Sequence, residues 1–241
     1  ENTSMDPSRF SGSGKVSWMY NWETWRPANT NELVSGVNFI GTQRCTDCES
    51  SPIGQLGARA AEQGWTDVFT LNEPDLNGIS ASDAANWYKT HIAPLQTKKA
   101  LPSVTSSNDA GKGLSWLSDF LGACGGGCPH DYINLHWYGR SADEFKSHIS
   151  SARDRFPGET IVVSEFALEA PASADDQAAF FRDTTGWLEG QDYVAMYFPF
   201  VATSPGLLSQ NDGAAAGYVG TGCTLFNDDG SVSASGNGVL A

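Results

Sequence analysis

Two glutamates lie at places in the chain where a carboxylate could do chemistry. Glu73 follows the short apolar and β-branched run 67–71, which has the composition of a buried strand. Pro74 has no N–H to donate to a sheet, so that strand must end here. Glu165 lies inside the apolar run 160–168, where an unpaired charge would be costly to bury. Two such carboxylates suggest paired acid–base work.

Both glutamates belong to an alternating pattern of strands and helices. Strand segments are predicted at 67–71, 101–108, 131–139, 160–168 and 192–200, with helical patterns between them. Each strand–helix unit takes about 30 residues, which indicates parallel strands joined by right-handed crossover helices. Trp, Tyr, His and Glu recur at the carboxyl ends of these strands, which favours a closed barrel over a doubly wound sheet. We therefore predict an α/β fold, a small (β/α)8 TIM barrel.

The start of the chain follows this pattern less regularly. Residues 1–14 are polar and rich in Ser and Gly, and we interpret them as an N-terminal extension. Residues 15–241 are predicted to form a single barrel domain, large enough for a substantial core. Clear strands before residue 65 occur only at 15–22 and 37–42, one fewer than an eight-fold barrel needs. The prediction therefore allows for one short or irregular early unit.

Composition excludes several kinds of partner. The chain has 14 Lys and Arg against 28 Asp and Glu, a net charge of −14 that repels nucleic acids and anionic membranes. Its 8 Trp, with only 17% charged residues, fit an uncharged, ring-shaped ligand. The G-x-G-x-x-G, P-loop, G-x-S-x-G and H-E-x-x-H motifs are absent from the sequence. Nucleotide-binding, serine-hydrolase and zinc-protease functions are therefore not predicted.

The five cysteines point to an oxidising compartment. Cys45 and Cys48, and Cys124 and Cys128, are close in sequence, whereas Cys223 stands alone. A four-thiolate zinc site is one interpretation, but such sites usually stabilise domains that are too small to form a hydrophobic core. Three glycines inside the second pair suit a disulfide-closed loop, so we expect disulfides, although spacing leaves their pairing open. A glycosylation sequon at 2–4 also favours secretion, and we interpret the missing Met and signal segment as already removed or upstream.

The predicted topology brings the two glutamates together. Their strands are separated by two others, and strands three apart face each other across the mouth of a barrel. Two carboxyl groups about 5 to 5.5 Å apart fit a retaining glycosidase, in which one is the nucleophile and the other the acid and then the base. The acid must be shielded and hold its proton, whereas the nucleophile must be ionised and hydrogen-bonded.

Four motifs follow one another along the chain: Trp18-Met-Tyr-Asn-Trp22, Leu71-Asn-Glu-Pro-Asp75, Leu135-His-Trp-Tyr-Gly139 and Val163-Ser-Glu-Phe166. In this order they resemble the motifs of glycoside hydrolase family 128, a group of small (β/α)8 β-1,3-glucanases that is frequent in fungi. The resemblance extends over residues 15–235 and includes Asn227-Asp-Asp-Gly230 near the end.

The resemblance implies roles for individual residues. Glu73 would be the acid/base, Glu165 the nucleophile, and Asn72 would hydrogen-bond the sugar 2-hydroxyl. The floor of the site would be lined by His136 and by Tyr138, which could also orient Glu165. The candidate sugar-stacking aromatics are Tyr20, Trp22, Trp137 and Tyr197. The sequence departs from the family near Pro199, where a Trp is expected and only Phe198 and Phe200 are present.

We therefore predict a secreted or cell-wall retaining glycosidase that cleaves β-1,3-glucan internally, as a monomer without metal or cofactor. One alternative is another β-glycan substrate, such as β-1,4-mannan or cellulose. A second is a non-catalytic glucan-binding protein, but binding needs the aromatics and not the carboxylates, so the intact pair favours an enzyme. The other loop carboxylates are interpreted as solvated or capping groups: Glu23, Asp75, Asp109 and Glu169.

Overall fold

Strands and helices alternate along the chain in the computed structural model, which describes residues 5–12, 14–27 and 36–241. The strands are β1 (Trp18–Tyr20), β2 (Asn38–Thr42), β3 (Asp67–Phe69), β4 (Lys98–Lys99), β5 (Ile133–Gly139), β6 (Ile161–Leu168) and β7 (Val194–Pro199). The helices are α1 (Ser8–Ser11), α2 (Leu56–Gln63), α3 (Ala81–His91), α4 (Gly113–Cys124), α5 (Ala142–Arg155), α6 (Ala174–Leu188), α7 (Pro205–Asn211), α8 (Gly213–Val219) and α9 (Ala234–Leu240), and a 3-10 turn (Ile53–Gln55) precedes α2.

The strands are parallel and follow one another in chain order. Strands β1 to β4 form one sheet, and strands β5 to β7 form a second. Isolated parallel bridges join the two sheets, from Ala100 to Tyr132 and from Val104 to Leu135. Within the described ranges no ladder pairs β7 with β1, but Tyr20 and Phe198 pack with ring centroids 5.0 Å apart. The arrangement is that of a small (β/α)8-type barrel, as predicted.

The interior of the barrel is packed with side chains rather than open. Each strand segment contributes at least one residue, because alternate residues of a strand point to the same face. The cluster consists of Ile40, Phe69, Ala100, Tyr132, Val162 and Met196, with Trp18, Tyr20 and Phe198 packed against it. A second, larger cluster fills the layer between strands and helices and includes Phe145, Phe166 and Phe180. The polar mouth therefore lies above a packed apolar cluster.

Serine caps set the starts of the helices that follow β5 and β6. Ser141 accepts a hydrogen bond from the Glu144 N–H at 3.2 Å, which begins α5 directly after the strand. Ser173 and Asp176 form a complete capping box at the start of α6. Each cap satisfies N–H groups that would otherwise lack a partner and is worth about 1 kcal/mol. The caps therefore fix where α5 and α6 begin after β5 and β6.

The fourth strand is shorter than predicted. The sequence suggested a strand over 101–108, whereas β4 covers Lys98–Lys99 and is continued only by single bridges at Ala100, Ser103 and Val104. Pro102 lacks an N–H and interrupts any regular ladder here. That part of the prediction was wrong in extent.

The early part of the chain is irregular, as predicted. Only β1 and β2 precede residue 65 among the described residues, and the segment 28–35 between them lies outside the description. Upstream, Phe10 of α1 packs edge-on against Phe226 at 5.2 Å, and Met5 joins the outer core. The N-terminal residues that are described therefore contact the barrel. The domain boundary at 14/15 stays a prediction, and the sequon at 2–4 lies outside the described residues.

Disulfides join Cys45 to Cys48 and Cys124 to Cys128. The expectation of disulfides is confirmed, and the zinc interpretation was wrong because each pair of sulfurs is already bonded together. Cys223 is a buried thiol, and burial raises its pKa to about 12.

None of the described helices is long and apolar enough to cross a membrane.

Candidate active site

Glu73 is placed at the mouth by the turn that follows β3 and the isolated bridge between Asn72 and Ser103. Its N–H donates to the Ser103 carbonyl at 2.9 Å, which keeps the backbone in register with the neighbouring strand segment. The next step leaves the sheet, and Glu73 adopts a φ of +46°, in the left-handed region. Such a conformation costs a non-glycine residue free energy and is concentrated at functional sites. The Glu73 side chain is 18% exposed and faces the interior of the mouth.

Glu165 lies within β6 and is almost fully buried, with 6% of the residue exposed. The β5–β6 register shifts between Leu135 and His136, which sets His136 opposite Glu165. Two neutral donors hold the carboxylate. The Tyr138 hydroxyl donates to Oε2 at 2.6 Å, and the Trp22 indole N–H donates to Oε1 at 2.7 Å. Both oxygens are hydrogen-bonded, which favours the ionised form.

His136 lies between the two glutamates. Its Nδ1 is 3.0 Å from Glu73 Oε1 and 3.5 Å from Glu165 Oε2, and its Nε2 is 3.0 Å from Ser164 Oγ. One carboxylate oxygen of Glu73 and one of Glu165 lie within 4.8 Å of each other. Inverting glycosidases hold their carboxyl groups about 6.5–9.5 Å apart to fit a water, whereas retaining enzymes hold them about 5–5.5 Å apart. The spacing matches the retaining arrangement.

Burial and charge act in opposite directions in this cluster. The pKa of Glu165 is raised, because burial and the Glu73 charge outweigh the His136 charge and the hydrogen bonds from Tyr138 and Trp22, which lower it. Burial alone would lower the pKa of His136, but the charges of Glu165 and Glu73 outweigh it and the pKa is raised. Burial also raises the pKa of Tyr138 well above its ordinary value, so its hydroxyl stays a donor.

The same three residues could in principle hold a metal ion. Glu73, His136 and Glu165 form a group of possible ligands within the described part of the chain. However, both oxygens of Glu165 already accept hydrogen bonds from the protein. The 3.0 Å contact between His136 Nδ1 and Glu73 suits a shared proton. These contacts favour proton transfer over cation binding, and a site without metal stays a prediction.

The pair opens into a cavity of about 1550 Å³. Asn72, Tyr20, Trp22 and Tyr138 line it beside the two glutamates, as the sequence predicted. The Tyr20 hydroxyl donates to the Ser164 carbonyl at 2.6 Å, and its ring packs against Trp22 and Phe198. Most of the predicted residues therefore converge on one space.

Phe200 occupies the position near the pair where the family pattern led us to expect another aromatic. Its ring centroid lies 6.1 Å from that of Trp22 and 5.7 Å from that of Tyr138. Phe198, in contrast, packs into the barrel interior. Of these two phenylalanines, Phe200 is therefore the one beside the residues that hold Glu165.

Trp137 does not reach this cavity. It alternates with His136 and Tyr138 on β5, so its side chain points to the helices. There it stacks on Phe180 at 5.6 Å and is only 4% exposed. The interpretation of Trp137 as a sugar-stacking surface was wrong. Tyr197 also points away from the barrel interior and donates to Glu189, but it lines the cavity, and its role stays a prediction.

Several supporting residues were not singled out from the sequence. Ser164 contacts His136 on the strand that carries Glu165. Arg44 donates to the Trp22 carbonyl at 2.9 Å and pairs with Glu23 at 2.8 Å, which fixes the loop that carries Trp22. The Arg44 contacts come from loops, where periodicity gives no signal, and the Ser164 contact depends on which face of β6 points inward.

The rival carboxylates have other partners. Asp75, interpreted as a solvated or capping group, is buried and accepts hydrogen bonds from Thr105 and from the Gly113 N–H at 2.8 Å. It therefore ties the turn after Glu73 to the start of α4. Asp109 is 73% exposed and pairs with Lys112.

Known proteins are similar to this chain in sequence and fold. The family model of the glycosyl hydrolase catalytic core matches residues 2–237. A glycoside hydrolase family 128 (subgroup IV) endo-β-1,3-glucanase from Lentinula edodes is 49% identical, with a TM-score of 0.95 over 99% of this chain and 95% of that one.

More distant relatives are also similar. A family 128 (subgroup III) curdlan-specific exo-β-1,3-glucanase from Blastomyces gilchristii is 25% identical, with a TM-score of 0.74 over 93% of this chain and 89% of that one. Alkali-sensitive linkage protein 1 of Schizosaccharomyces pombe is 29% identical over 76% of this chain. The match covers 34% of that protein, so the chain spans about a third of its length. Together with the site geometry, these matches show that the chain belongs to the glycosyl hydrolase catalytic core family and to glycoside hydrolase family 128.

Proposed function

We propose that the chain is a retaining endo-β-1,3-glucanase. The observation that carries the proposal is the pair of carboxylates within 4.8 Å, one of them held by two hydrogen-bond donors. The Lentinula edodes relative, at 49% identity, is an endo-β-1,3-glucanase, which supports both the linkage and internal cleavage. The two disulfides support an extracellular site of action.

The first step breaks the glycosidic bond. Glu165 attacks the anomeric carbon and forms a glycosyl–enzyme ester, while Glu73 gives its proton to the departing glycosidic oxygen. The hydrogen bonds from Tyr138 and Trp22 orient the Glu165 carboxylate, and they must weaken as the ester forms. Asn72, beside Glu73 in the cavity, is proposed to hydrogen-bond the sugar 2-hydroxyl as charge develops.

The second step releases the sugar. Glu73, now a carboxylate, takes a proton from water, and the hydroxide attacks the anomeric carbon and expels Glu165 with net retention. His136 contacts both glutamates, so it can stabilise whichever of them is charged at each step. Its Nε2 contact with Ser164 fixes the ring orientation during this exchange.

A glycan panel tests the substrate. We expect linear β-1,3-glucan to be cut into short oligosaccharides of mixed length, with little cleavage of β-1,4-mannan or cellulose. Product lengths followed over time by chromatography separate internal from terminal cleavage. Cleavage of a β-1,4 polymer but not of β-1,3-glucan would overturn the linkage, and binding without cleavage would support the non-catalytic alternative.

The pH profile tests the role of Tyr138. Its hydrogen bond stabilises charged Glu165 and so lowers that pKa; Tyr138→Phe removes the bond and raises the pKa. Since the nucleophile must be ionised, kcat/KM is lost as pH falls through this pKa. The acid limb of kcat/KM should therefore move to higher pH in the variant.

Tyr193→Phe is the matched control for this experiment. Tyr193 lies under Arg153 at 5.4 Å and does not line the cavity. The substitution removes one hydroxyl and should leave the acid limb of kcat/KM where it is in the wild type. An unshifted limb in Tyr138→Phe would show that the limb does not report Glu165.

A further inference from the structure

Asp75 is a buried carboxylate that the proposed mechanism does not use. Only 9% of the residue is exposed, although it lies two residues after Glu73, at the mouth of the barrel. A carboxylate loses its hydration on burial, so the protein must supply hydrogen bonds in exchange. The donors to Asp75 are Thr105 and Gly113, which lie at the two ends of the loop between Val104 and α4. Asp75 therefore connects the Glu73 turn to that loop.

The hydrogen bonds converge on one oxygen of Asp75. Oδ2 accepts the Thr105 hydroxyl at 2.6 Å, the Thr105 N–H at 3.2 Å and the Gly113 N–H at 2.8 Å. The loop that supplies these donors is itself tightly built. Gly113 has a φ of +53°, and a Cβ placed there would lie 2.2 Å from the Ser107 carbonyl oxygen. Asp75 is thus anchored to backbone that has little room to move.

The turn that carries Glu73 needs such an anchor. A residue in a strained backbone conformation, as Glu73 is at a φ of +46°, keeps it only where the surrounding contacts over-determine it. The Glu73 N–H bond to Ser103 holds the start of the turn, and the Glu73 carbonyl accepts the N–H groups of Leu76 at 3.0 Å and Asn77 at 2.9 Å. Those last two bonds close the turn on itself. The bonds of Asp75 attach its far side to the rest of the mouth.

We propose that Asp75 is a positioning residue for Glu73, the proposed acid/base. By attaching the turn to the loop at 105–113, it keeps the Glu73 carboxyl group beside His136 and within reach of the departing glycosidic oxygen. Asp75 does not line the cavity, so its effect on the reaction passes through Glu73. This inference rests on the proposed function, because it assumes that Glu73 gives a proton to that oxygen.

Two leaving groups separate a positioning role from a general structural one. A β-1,3-glucan hexasaccharide releases a sugar alkoxide that needs a proton, whereas β-laminaribiosyl fluoride releases fluoride, which does not. For Asp75→Ala, kcat/KM on the hexasaccharide should fall about 100-fold, the scale on which a displacement of about 1 Å acts. On the fluoride, kcat/KM should stay at the wild-type value. In a Glu73→Gln background, Asp75→Ala should cause no further loss on the hexasaccharide, because no acid is left to position.

Two further variants test the role of the hydrogen bonds. Asp75→Asn keeps an oxygen that can accept from Thr105 and Gly113, so it should retain most of the hexasaccharide activity. Thr105→Val removes only the 2.6 Å bond and should give a smaller loss, again on the hexasaccharide alone. It replaces Asp75→Ala in the comparison if that variant does not fold, which far-UV circular dichroism checks.

Asp67→Ala is the matched control. It removes another buried carboxylate, at the opposite end of the same strand segment, where Asp67 accepts the Tyr132 hydroxyl at 3.0 Å. It should lower the midpoint of thermal unfolding but leave the ratio of the two kcat/KM values as in the wild type.

Three results would overturn the inference. Equal losses on both substrates in Asp75→Ala would make Asp75 a merely structural residue, and an unchanged hexasaccharide activity would give it no role in the reaction. A loss in Asp75→Asn as large as that in Asp75→Ala would assign the effect to the charge of Asp75 rather than to its hydrogen bonds. A wild type that cleaves neither substrate would instead refute the proposed function, and this inference with it.

Discussion

Glu165→Gln should lower the hydrolysis of linear β-1,3-glucan by about 10⁴-fold or more, the scale on which losing a nucleophile acts. The amide has nearly the same shape but cannot form the glycosyl–enzyme ester. Its amide oxygen can accept from the Trp22 indole N–H and its amide N–H₂ can donate to the Tyr138 hydroxyl oxygen, so the site should keep its form and bind the glucan. Initial rates of reducing-end release, with glucan binding measured by calorimetry, give the two quantities.

Asp109→Asn is the matched control, because it also exchanges a carboxylate for an amide, at an exposed loop residue that does not line the cavity. It should retain wild-type rates. Chemical rescue then identifies the role: with Glu165→Ala, added azide attacks the substrate directly and should yield the α-glycosyl azide. Equal activity of Glu165→Gln and the wild type would remove Glu165 from the mechanism.

Glu73→Gln should lose about 10²–10⁴-fold on the glucan, the range of general acid–base catalysis. The loss depends on the leaving group, because an alkoxide needs a proton to depart and fluoride does not. The first step on β-laminaribiosyl fluoride should therefore be nearly unaffected, and a pre-steady-state burst of fluoride should remain. Gln suits this test because its side chain meets the same backbone cost as Glu at a φ of +46°.

Azide also tests this second role, with the opposite stereochemical result. In Glu73→Ala, azide should attack the accumulated glycosyl–enzyme and yield the β-glycosyl azide. If Glu73→Gln lost activity equally on the glucan and on the fluoride burst, its role would be structural rather than that of an acid. Formation of the α-azide would exchange the roles of the two glutamates.

Much of the fold was predictable because it depends on local patterns. The alternation of apolar strands and helices indicates a parallel barrel, and the spacing of the Glu73 and Glu165 strands predicts that their ends converge. In the structure one oxygen of each lies within 4.8 Å of the other. His136 and Tyr138 were predictable for the same reason, since residues i and i+2 of a strand share a face.

The remainder depends on features that periodicity does not encode. Alternation shows that Trp137 opposes Tyr138 but not which of them faces the mouth, and the register shift at Leu135/His136 is invisible in the sequence. Trp22 was predicted as a stacking surface, whereas its indole N–H also holds Glu165. Tyr218 lies on the short helix α8, far along the chain, and its ring meets that of Tyr138 only through tertiary packing.

The left-handed backbone conformation at Glu73 places the carboxylate in the site but lowers the stability of the fold. A glycine would adopt that conformation without the steric cost, so selection for thermal resistance alone would favour replacing Glu73, the proposed proton donor. The same turn is held by Asp75, which accepts hydrogen bonds from Thr105 and from the Gly113 N–H. Engineering for heat tolerance should therefore leave this turn untouched and seek its gains in the helices outside the barrel.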